Sequence, residues 1–209
     1  MNQFLVTGGA GFIGSHLVET LLKKGHQVVI LDNFCNSSKE NLSFLTNYPN
    51  QSYTLIEGDI RDKTCCLEAT KNCDYILHHA ALTSVPESME KPDLYEDNNV
   101  KGTLTLLLAA KENKIKKVIQ ASSSAIYGNS PILPKVETIT PTPHSPYASN
   151  KITCEEYGQQ FTKHDNLPVI SLRYFNVFGP RQNPDSHYAA VIPKFITTLL
   201  NDKTPVIYG

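Results

Sequence analysis

The chain has 209 residues, of which 40% are hydrophobic, and its formal net charge at pH 7 is -1. This length allows one domain with a substantial core, or one domain and part of a second. The balanced charge lacks the basic excess of nucleic-acid-binding proteins, so we expect no nucleic-acid partner. The apolar runs are too short to cross a bilayer, and the N-terminus shows no signal-peptide pattern, so we expect no membrane association.

The cysteines bear on the cellular compartment. They are Cys35, Cys65, Cys66, Cys73 and Cys154. Their number is odd and no pair has the C-x-x-C spacing, which favours reduced thiols over a disulfide framework or a zinc site. His78 and His79 are poor metal ligands as a pair, because neighbouring strand residues point to opposite faces. We therefore expect a cytoplasmic protein without a bound metal.

Short β-branched runs alternate with longer helical patterns along the chain. The predicted strands are Gln3–Thr7, Gln27–Leu31, Ser52–Glu57, Tyr75–His78, Lys117–Ala121 and Val169–Tyr174. The predicted helices are Gly11–Lys24, Asp62–Thr70, Pro92–Asn113 and Pro146–His164. Pro146 would lie in the first helical turn, where proline costs least. The alternation predicts an α/β fold, a doubly wound parallel sheet of the Rossmann type with helices on both faces.

Two further stretches complete the element prediction. The proline-rich segment Pro131–Pro146 indicates a long loop, and loops of that length are often functional. Ala189–Leu200 has an amphipathic helical pattern, and Pro205–Tyr208 has a strand pattern that stops at Gly209. We expect either a fragment of a longer protein or a vestigial second domain.

A glycine-rich segment, TGGAGFIG, follows the first predicted strand. Gly8 permits a tight turn, Gly11 lets the main chain approach a pyrophosphate, and Gly14 lets the next helix pack against the strand. The helix N-terminus stabilises the negative charge of the phosphates. Such a triplet is weak evidence alone, but its place between a strand and a helix predicts a dinucleotide site.

Asp32 directly follows the second predicted strand, at the spacing expected for the residue that binds the adenosine ribose. A turn aspartate is the alternative, and the preceding glycine-rich segment favours dinucleotide binding. The carboxylate would accept hydrogen bonds from both ribose hydroxyls of NAD and would repel the 2′-phosphate of NADP. The next residues, NFCNSS, include no Lys or Arg to neutralise that phosphate. NAD is therefore the predicted cofactor.

Four motifs occur in order: TGGAGFIG, Asp32, SSSAIYG and YASNK. With them the chain resembles the extended short-chain dehydrogenase/reductase family, and within it the NAD-dependent nucleotide-sugar epimerases. The segment RYFNVFGPRQNPDSHYAAVIPKF is most similar to UDP-N-acetylglucosamine 4-epimerases. The resemblance covers essentially the whole chain. It implies an NAD-binding Rossmann domain over residues 1–175, and over 176–209 the start of a substrate-binding region that is largely missing.

The resemblance assigns the catalytic residues. A Y-x-x-x-K pair alone is more often a solvated surface pair, but in this family the tyrosine, here Tyr147, is the catalytic base. Lys151 lies one helical turn away on the same face, and it and the cationic nicotinamide would favour the phenolate of a phenol whose free pKa is about 10. Lys151 would also bind the nicotinamide ribose. Ser123 would hydrogen-bond the reacting sugar oxygen, with Ser124 as the alternative because the serine run leaves the register open.

The resemblance also implies a set of contacts. The residues expected at the cofactor are Gly8, Gly11, Phe12, Ile13, Gly14, Asp32, Asn33, Asn36, Ser37, Asp59, Ile60, Ala80, Ala81, Thr83, Asn99, Tyr147, Lys151 and Tyr174. Those expected at the substrate are Thr83, Ser123, Ser124, Asn176, Ala190 and Val191. Related dehydratases carry an Asp-Glu pair where Ser124 and Ala125 stand here, so dehydration is disfavoured.

The function implied by the resemblance is 4-epimerisation of a UDP-hexose, chiefly UDP-N-acetylglucosamine and UDP-N-acetylgalactosamine, for surface polysaccharide synthesis. The reaction would pass through a 4-keto sugar with retained NAD, in a homodimer. The alternatives are another NAD-dependent sugar-nucleotide reductase, a UDP-glucuronate decarboxylase, and an NAD-binding fragment without catalysis. Relatives carry an arginine for the UDP phosphates beyond this stretch, so the activity of the 209 residues stays open. The residue that recognises the N-acetyl group is expected there too, so the identity of the hexose or hexuronate also stays open.

Overall fold

The computed structural model describes residues 1–183 and 191–207. The strands are β1 Gln3–Thr7, β2 Gln27–Asp32, β3 Tyr53–Glu57, β4 Tyr75–His78, β5 Lys117–Ser123 and β6 Val169–Tyr174. They pair in parallel in the order β3-β2-β1-β4-β5-β6. This order reverses beside β1, which opens a crevice at the carboxyl ends of the strands. The predicted α/β fold with a doubly wound parallel sheet is confirmed.

The α-helices of the described residues follow the predicted alternation. They are α1 Phe12–Lys23, α2 Lys63–Thr70, α3 Val85–Glu90, α4 Pro92–Tyr95, α5 Gly102–Glu112, α6 Pro146–His164 and α7 Val191–Leu200. A π-helical turn, Glu96–Lys101, joins α4 to α5, so the predicted helix over Pro92–Asn113 is one rod with a wide turn. The extent of this helical region is as predicted, but the π-helical turn within it was not predicted.

The N-terminus of α6 shows how local sequence fixes an element. Ser145 has extended backbone angles, and its hydroxyl oxygen accepts a hydrogen bond from the amide of Ala148. Pro146 is the first helical residue, where its missing N–H would have had no partner in any case. The helix therefore begins at the predicted residue, which fixes the orientation of Tyr147 in its first turn.

The core lies on both faces of the sheet. On one face Leu5, Val29 and Leu31 pack with buried residues of α2, α5 and α6. On the other, Val6 and Ile30 pack with buried residues of α1 and of the 3-10 helix Lys39–Asn47. Alternate residues of β1 and β2 thus serve opposite layers, as the period of a strand requires. The predicted covering of both faces is confirmed.

Some elements differ from the predictions. The short helix α3 and the 3-10 helices Lys39–Asn47, Asn50–Ser52 and Ser124–Tyr127 were not predicted. The strand predicted at Pro205–Tyr208 was wrong over its described part, because residues 205–207 form no ladder with a neighbouring strand. Within residues 1–183 and 191–207, no helix has the length and apolarity needed to cross a bilayer.

Candidate functional site

A cavity of about 1010 Å³ lies at the carboxyl ends of the strands. It extends from the glycine-rich turn after β1 to the N-terminal turn of α6. The predicted site residues that line it are Gly8, Gly11, Phe12, Ile13, Gly14, Asp32, Asn33, Asn36, Ser37, Ile60, Ala80, Ala81, Thr83, Ser123, Tyr147, Lys151, Tyr174 and Asn176. The fold therefore brings the turn that follows the first strand and the end of the last strand to one cleft.

The glycine-rich turn has the geometry that its sequence predicts. Gly8 has a φ of +66°, and a Cβ at Gly14 would lie 2.0 Å from the carbonyl oxygen of Gly8. Helix α1 can approach the turn this closely only without that side chain. Gly11 precedes α1 and makes no side-chain cap, unlike Asp62 at α2 or Ser145 at α6. The first amides of α1 are left for a ligand beside the cavity.

Asp32 is buried, and three protein donors already engage its carboxylate. Oδ2 accepts from the amide of Ala10 at 2.9 Å. Oδ1 accepts from the amide of Phe34 at 2.9 Å and from the hydroxyl of Ser37 at 2.7 Å. A carboxylate has about four acceptor positions, so one remains on Oδ2. Binding of the ribose hydroxyls by Asp32 stays a prediction, and the structure leaves one acceptor position open for it.

Ser123, Tyr147 and Lys151 meet at the other end of the cavity. Lys151 Nζ lies 5.8 Å from the ring centroid of Tyr147. The Ser123 hydroxyl oxygen accepts from the amide of Ala125 at 3.1 Å, which holds the side chain at the start of the 3-10 helix. The neighbouring Ser122 donates to Glu155 at 2.5 Å. Ser123 is therefore the serine whose hydroxyl hydrogen is left for a ligand in the cavity.

Four predicted site residues that the structure describes do not line the cavity. Asp59 is turned to Arg61, whose hydrogen bonds lower the pKa of that carboxyl to about 2. Asn99 is buried and holds Leu82 by both its amide nitrogen and its oxygen, so it supports the loop and does not line the cavity. Ser124 and the exposed Val191 do not line it either, and Ala190 lies outside the described residues.

Several lining residues were not predicted. His79 follows β4 directly, and its Nε2 is 3.1 Å from the hydroxyl of Tyr174. Burial lowers the pKa of His79 to about 4, so its ring is neutral at pH 7. The segment after β6 adds Arg181, Gln182 and Asn183. His79 could have been found from its place at the end of a parallel strand; Arg181 carries no such signal.

The fold and the site define the class of this protein. Dinucleotide-binding α/β proteins share three features that this structure has. The strand order reverses beside β1, a glycine-rich turn leads into a helix without a side-chain cap, and a carboxylate lies at the end of β2. The chain belongs to the NAD dependent epimerase/dehydratase family, whose model matches residues 4–209. NAD is the cofactor, and the predicted relationship to nucleotide-sugar epimerases is confirmed.

Three known proteins illustrate the similarity. The UDP-glucose 4-epimerase of Neisseria meningitidis serogroup C is 41% identical over 187 residues, which cover 88% of this chain and 55% of that protein. The structure of a UDP-N-acetylglucosamine 4-epimerase from Methanobrevibacter ruminantium M1, in complex with UDP-N-acetylmuramic acid, is 47% identical with a TM-score of 0.92, covering 100% of this chain and 66% of that one. The UDP-glucose 4-epimerase of Thermus thermophilus, in complex with NAD, is 38% identical with a TM-score of 0.87, covering 99% and 65%.

The chain thus spans 55% to 66% of the length of these relatives.

All five cysteines are free thiols, as predicted. Across residues 1–183 and 191–207, no group of three His, Cys, Asp or Glu side chains could hold a metal ion.

Proposed function

We propose that this chain carries the cofactor site and the catalytic residues of a UDP-hexose 4-epimerase. Its substrates would be UDP-N-acetylglucosamine and UDP-N-acetylgalactosamine, and its role the supply of sugars for surface polysaccharides. One observation carries the proposal: Ser123, Tyr147 and Lys151 line the same cavity as the glycine-rich turn and Asp32. A hexose at one end can therefore meet the nicotinamide of a dinucleotide that begins at the other.

The cofactor end of the cavity fits NAD. The amides of Phe12 and Ile13 would bind the pyrophosphate, and the remaining acceptor of Asp32 would take a ribose hydroxyl. Lys39 is the first cationic residue after β2. Its Nζ pairs with Glu57 at 2.9 Å, so its charge already has a partner other than a 2′-phosphate. When bound, NAD would supply reversible hydride transfer with the sugar, without net redox change over the reaction.

The substrate end would move a proton and hold the sugar. Tyr147 oxygen would take the proton of the 4-hydroxyl, and Ser123 would donate a hydrogen bond to the reacting oxygen. The 4-keto sugar must turn over before it is reduced again, and the small side chain of Thr83 leaves room for that movement. Asn176 would contact the sugar nucleotide from the segment after β6.

The preference for N-acetylhexosamines rests on the 47% identity to the Methanobrevibacter ruminantium M1 enzyme, against 38% for the Thermus thermophilus UDP-glucose enzyme. Free thiols support a cytoplasmic location. A homodimer would pair the outer faces of α5 and α6, where Leu108 is exposed.

Proton NMR tests the proposal. UDP-N-acetylglucosamine is incubated with the purified chain without added NAD, and we expect the anomeric signal of the galacto epimer. UDP-glucose, added separately, measures the preference for the N-acetyl sugar. Net consumption of NADH would instead identify a reductase, and CO₂ release from UDP-glucuronate a decarboxylase. NAD in the denatured protein without any turnover would identify a cofactor-binding fragment.

A further inference from the structure

The segment after β6 crosses back to α1. We call residues 179–183, sequence GPRQN, the strap. The main chain turns there, because the amide of Gln182 donates to the carbonyl oxygen of Gly179 and Arg181 has a φ of +65°. His16 Nε2 donates to the carbonyl oxygen of Pro180 at 2.9 Å. The strap is therefore fastened to the helix that begins at the glycine-rich turn, and Arg181, Gln182 and Asn183 line the cavity.

Arg181 is held by two residues that do not line the cavity, Glu19 and Phe44. Its Nη2 donates to Glu19 Oε2 on α1. Its guanidinium lies over the ring of Phe44, 4.7 Å from the centroid. Hydrogen bonds from Lys23 and then from Arg181 lower the pKa of Glu19 to about 2, so that carboxylate is charged at neutral pH. The guanidinium plane is thus fixed at the edge of the cavity.

Nη1 of this arginine has no hydrogen-bond acceptor within residues 1–183 and 191–207. This nitrogen is buried. A buried donor without an acceptor costs about 1–3 kcal/mol, and more when it is charged, so a ligand acceptor is the natural complement. The local charge agrees, because Lys23 and Arg181 share the single carboxylate of Glu19. Within this group of three side chains, one positive charge is left without a carboxylate of its own.

We propose that Arg181 is a further cofactor-binding residue, whose Nη1 contacts the pyrophosphate of the dinucleotide from the strap. The first amides of α1 face the same ligand from the glycine-rich turn, so the phosphates lie between two sets of N–H donors. Arginine suits this task, because its fixed fork can hold Glu19 and a phosphate oxygen at once. The inference rests on the proposed NAD site and adds a residue to it.

Isothermal titration calorimetry on the chain freed of bound nucleotide tests the contact. The variants are Arg181→Met and Arg181→Lys, with Lys23→Met as the matched control, since it also removes a cation from Glu19 but lies outside the cavity lining. We expect Arg181→Met to raise the Kd for NAD about tenfold, as for a lost charge-assisted hydrogen bond, and to leave the Kd for adenosine unchanged. Arg181→Lys should lie between, and Lys23→Met should match the wild type.

Three results would overturn the inference. A Kd for NAD within twofold of wild type in Arg181→Met would show that the arginine does not touch the ligand. An equal loss for NAD and adenosine would show that Arg181 only braces the strap. Failure of the unsubstituted chain to bind NAD would remove the proposed cofactor site itself, and is recognised because it precedes any substitution.

Discussion

Lys151 donates a hydrogen bond from Nζ to the main-chain oxygen of Ala121 across 2.8 Å. The bond joins α6 to β5 two residues before Ser123, so the helix that carries Tyr147 and the strand that carries Ser123 are fixed to each other. An ammonium has three N–H groups, and two remain for the cavity. Lys151 therefore has a structural partner in addition to the ribose that the sequence predicted for it.

Replacing Tyr147 by Phe should abolish epimerisation and spare NAD binding, because the phenol oxygen is the proposed proton acceptor and the ring keeps its packing. We expect turnover to fall at least about 100-fold, the usual contribution of a general base. The measurement is the NMR assay together with NAD content after gel filtration. Tyr157→Phe, the same change on the same helix but outside the cavity, is the control. Full activity of Tyr147→Phe would refute its role as base.

Two glycine substitutions should separate folding from cofactor binding. Gly14→Ala places a Cβ 2.0 Å from Gly8 oxygen, so it should destabilise the fold by about 3 kcal/mol. Gly11→Ala meets Gly8 oxygen at 3.1 Å, and the φ of -73° there suits any residue. It should therefore retain most stability but lose NAD affinity. Urea unfolding and calorimetry measure the two effects; equal stability losses would contradict this account of the turn.

The ion pair of Glu155 and Arg173 should carry more stability than those on the surface. Arg173 donates from Nε and Nη2 to Glu155 at 3.0 and 2.8 Å, and its Nη1 reaches the carbonyl oxygen of Glu137 in the proline-rich loop. The two side chains are only 16% and 8% exposed, and Glu155 raises the pKa of Arg173. Glu155→Gln should lower the free energy of unfolding by about 3–5 kcal/mol, because an arginine that is only 16% exposed loses its counter-charge.

The control for that variant is Glu57→Gln, which breaks the exposed pair with Lys39. It should cost less than about 1 kcal/mol. Urea denaturation at pH 7 compares the two. Similar losses would mean that burial adds nothing to the Glu155 pair.

Acid should destabilise the protein through His78 and His79. Burial lowers their pKa values to about 3 and about 4, from the ordinary value of 6.5. Between pH 6.5 and 4 the unfolded chain binds protons that the native state does not, so stability falls as pH falls. As the pH falls from 7 to 5, each histidine should lower the free energy of unfolding by about 2 kcal/mol.

Urea denaturation at pH 7 and pH 5 checks this pH dependence. In His79→Asn, the free energy of unfolding lost between pH 7 and pH 5 should be smaller by the contribution of one histidine. The lowered pKa of Asp59 acts only below about pH 4, outside this window. Stability that does not change between pH 7 and 5 would contradict the assignment.

Much of the fold could be predicted, because its signals are local. The bounds of β1, β4, β6 and α6 match the prediction, since β-branched runs and a Ser-Pro helix start mark them. The strand predicted at Pro205–Tyr208 failed because a strand needs a neighbour, and propensity alone does not supply one. Helix α3 was missed because six residues are too few to show a helical period.

The site divides in the same way. Its glycines, Asp32 and the Ser-Tyr-Lys set lie in short motifs, so the sequence displays them. Arg181 reaches Glu19 from 162 positions away, and no local pattern announces such a contact. Asp59 and Asn99 were expected at the cofactor, but their side chains are taken by Arg61 and Leu82. Only the folded chain shows which polar groups are already engaged.

The π-helical turn Glu96–Lys101 joins α4 to α5 and allows a residue on each side of it to keep its contact with the buried face. Upstream, the hydroxyl of Tyr95 accepts from the amide of Ser84 at 3.0 Å; downstream, Thr103 meets Nε2 of His78 at 2.9 Å. Eight positions exceed two turns of a regular α-helix, so a straight rod would rotate one of these contacts off the buried face. The π-helical turn accommodates the residue that exceeds two regular α-helical turns. Deleting Val100 alone should therefore convert this segment into a regular α-helix with seven positions, close to two turns, between Tyr95 and Thr103, so that both contacts persist.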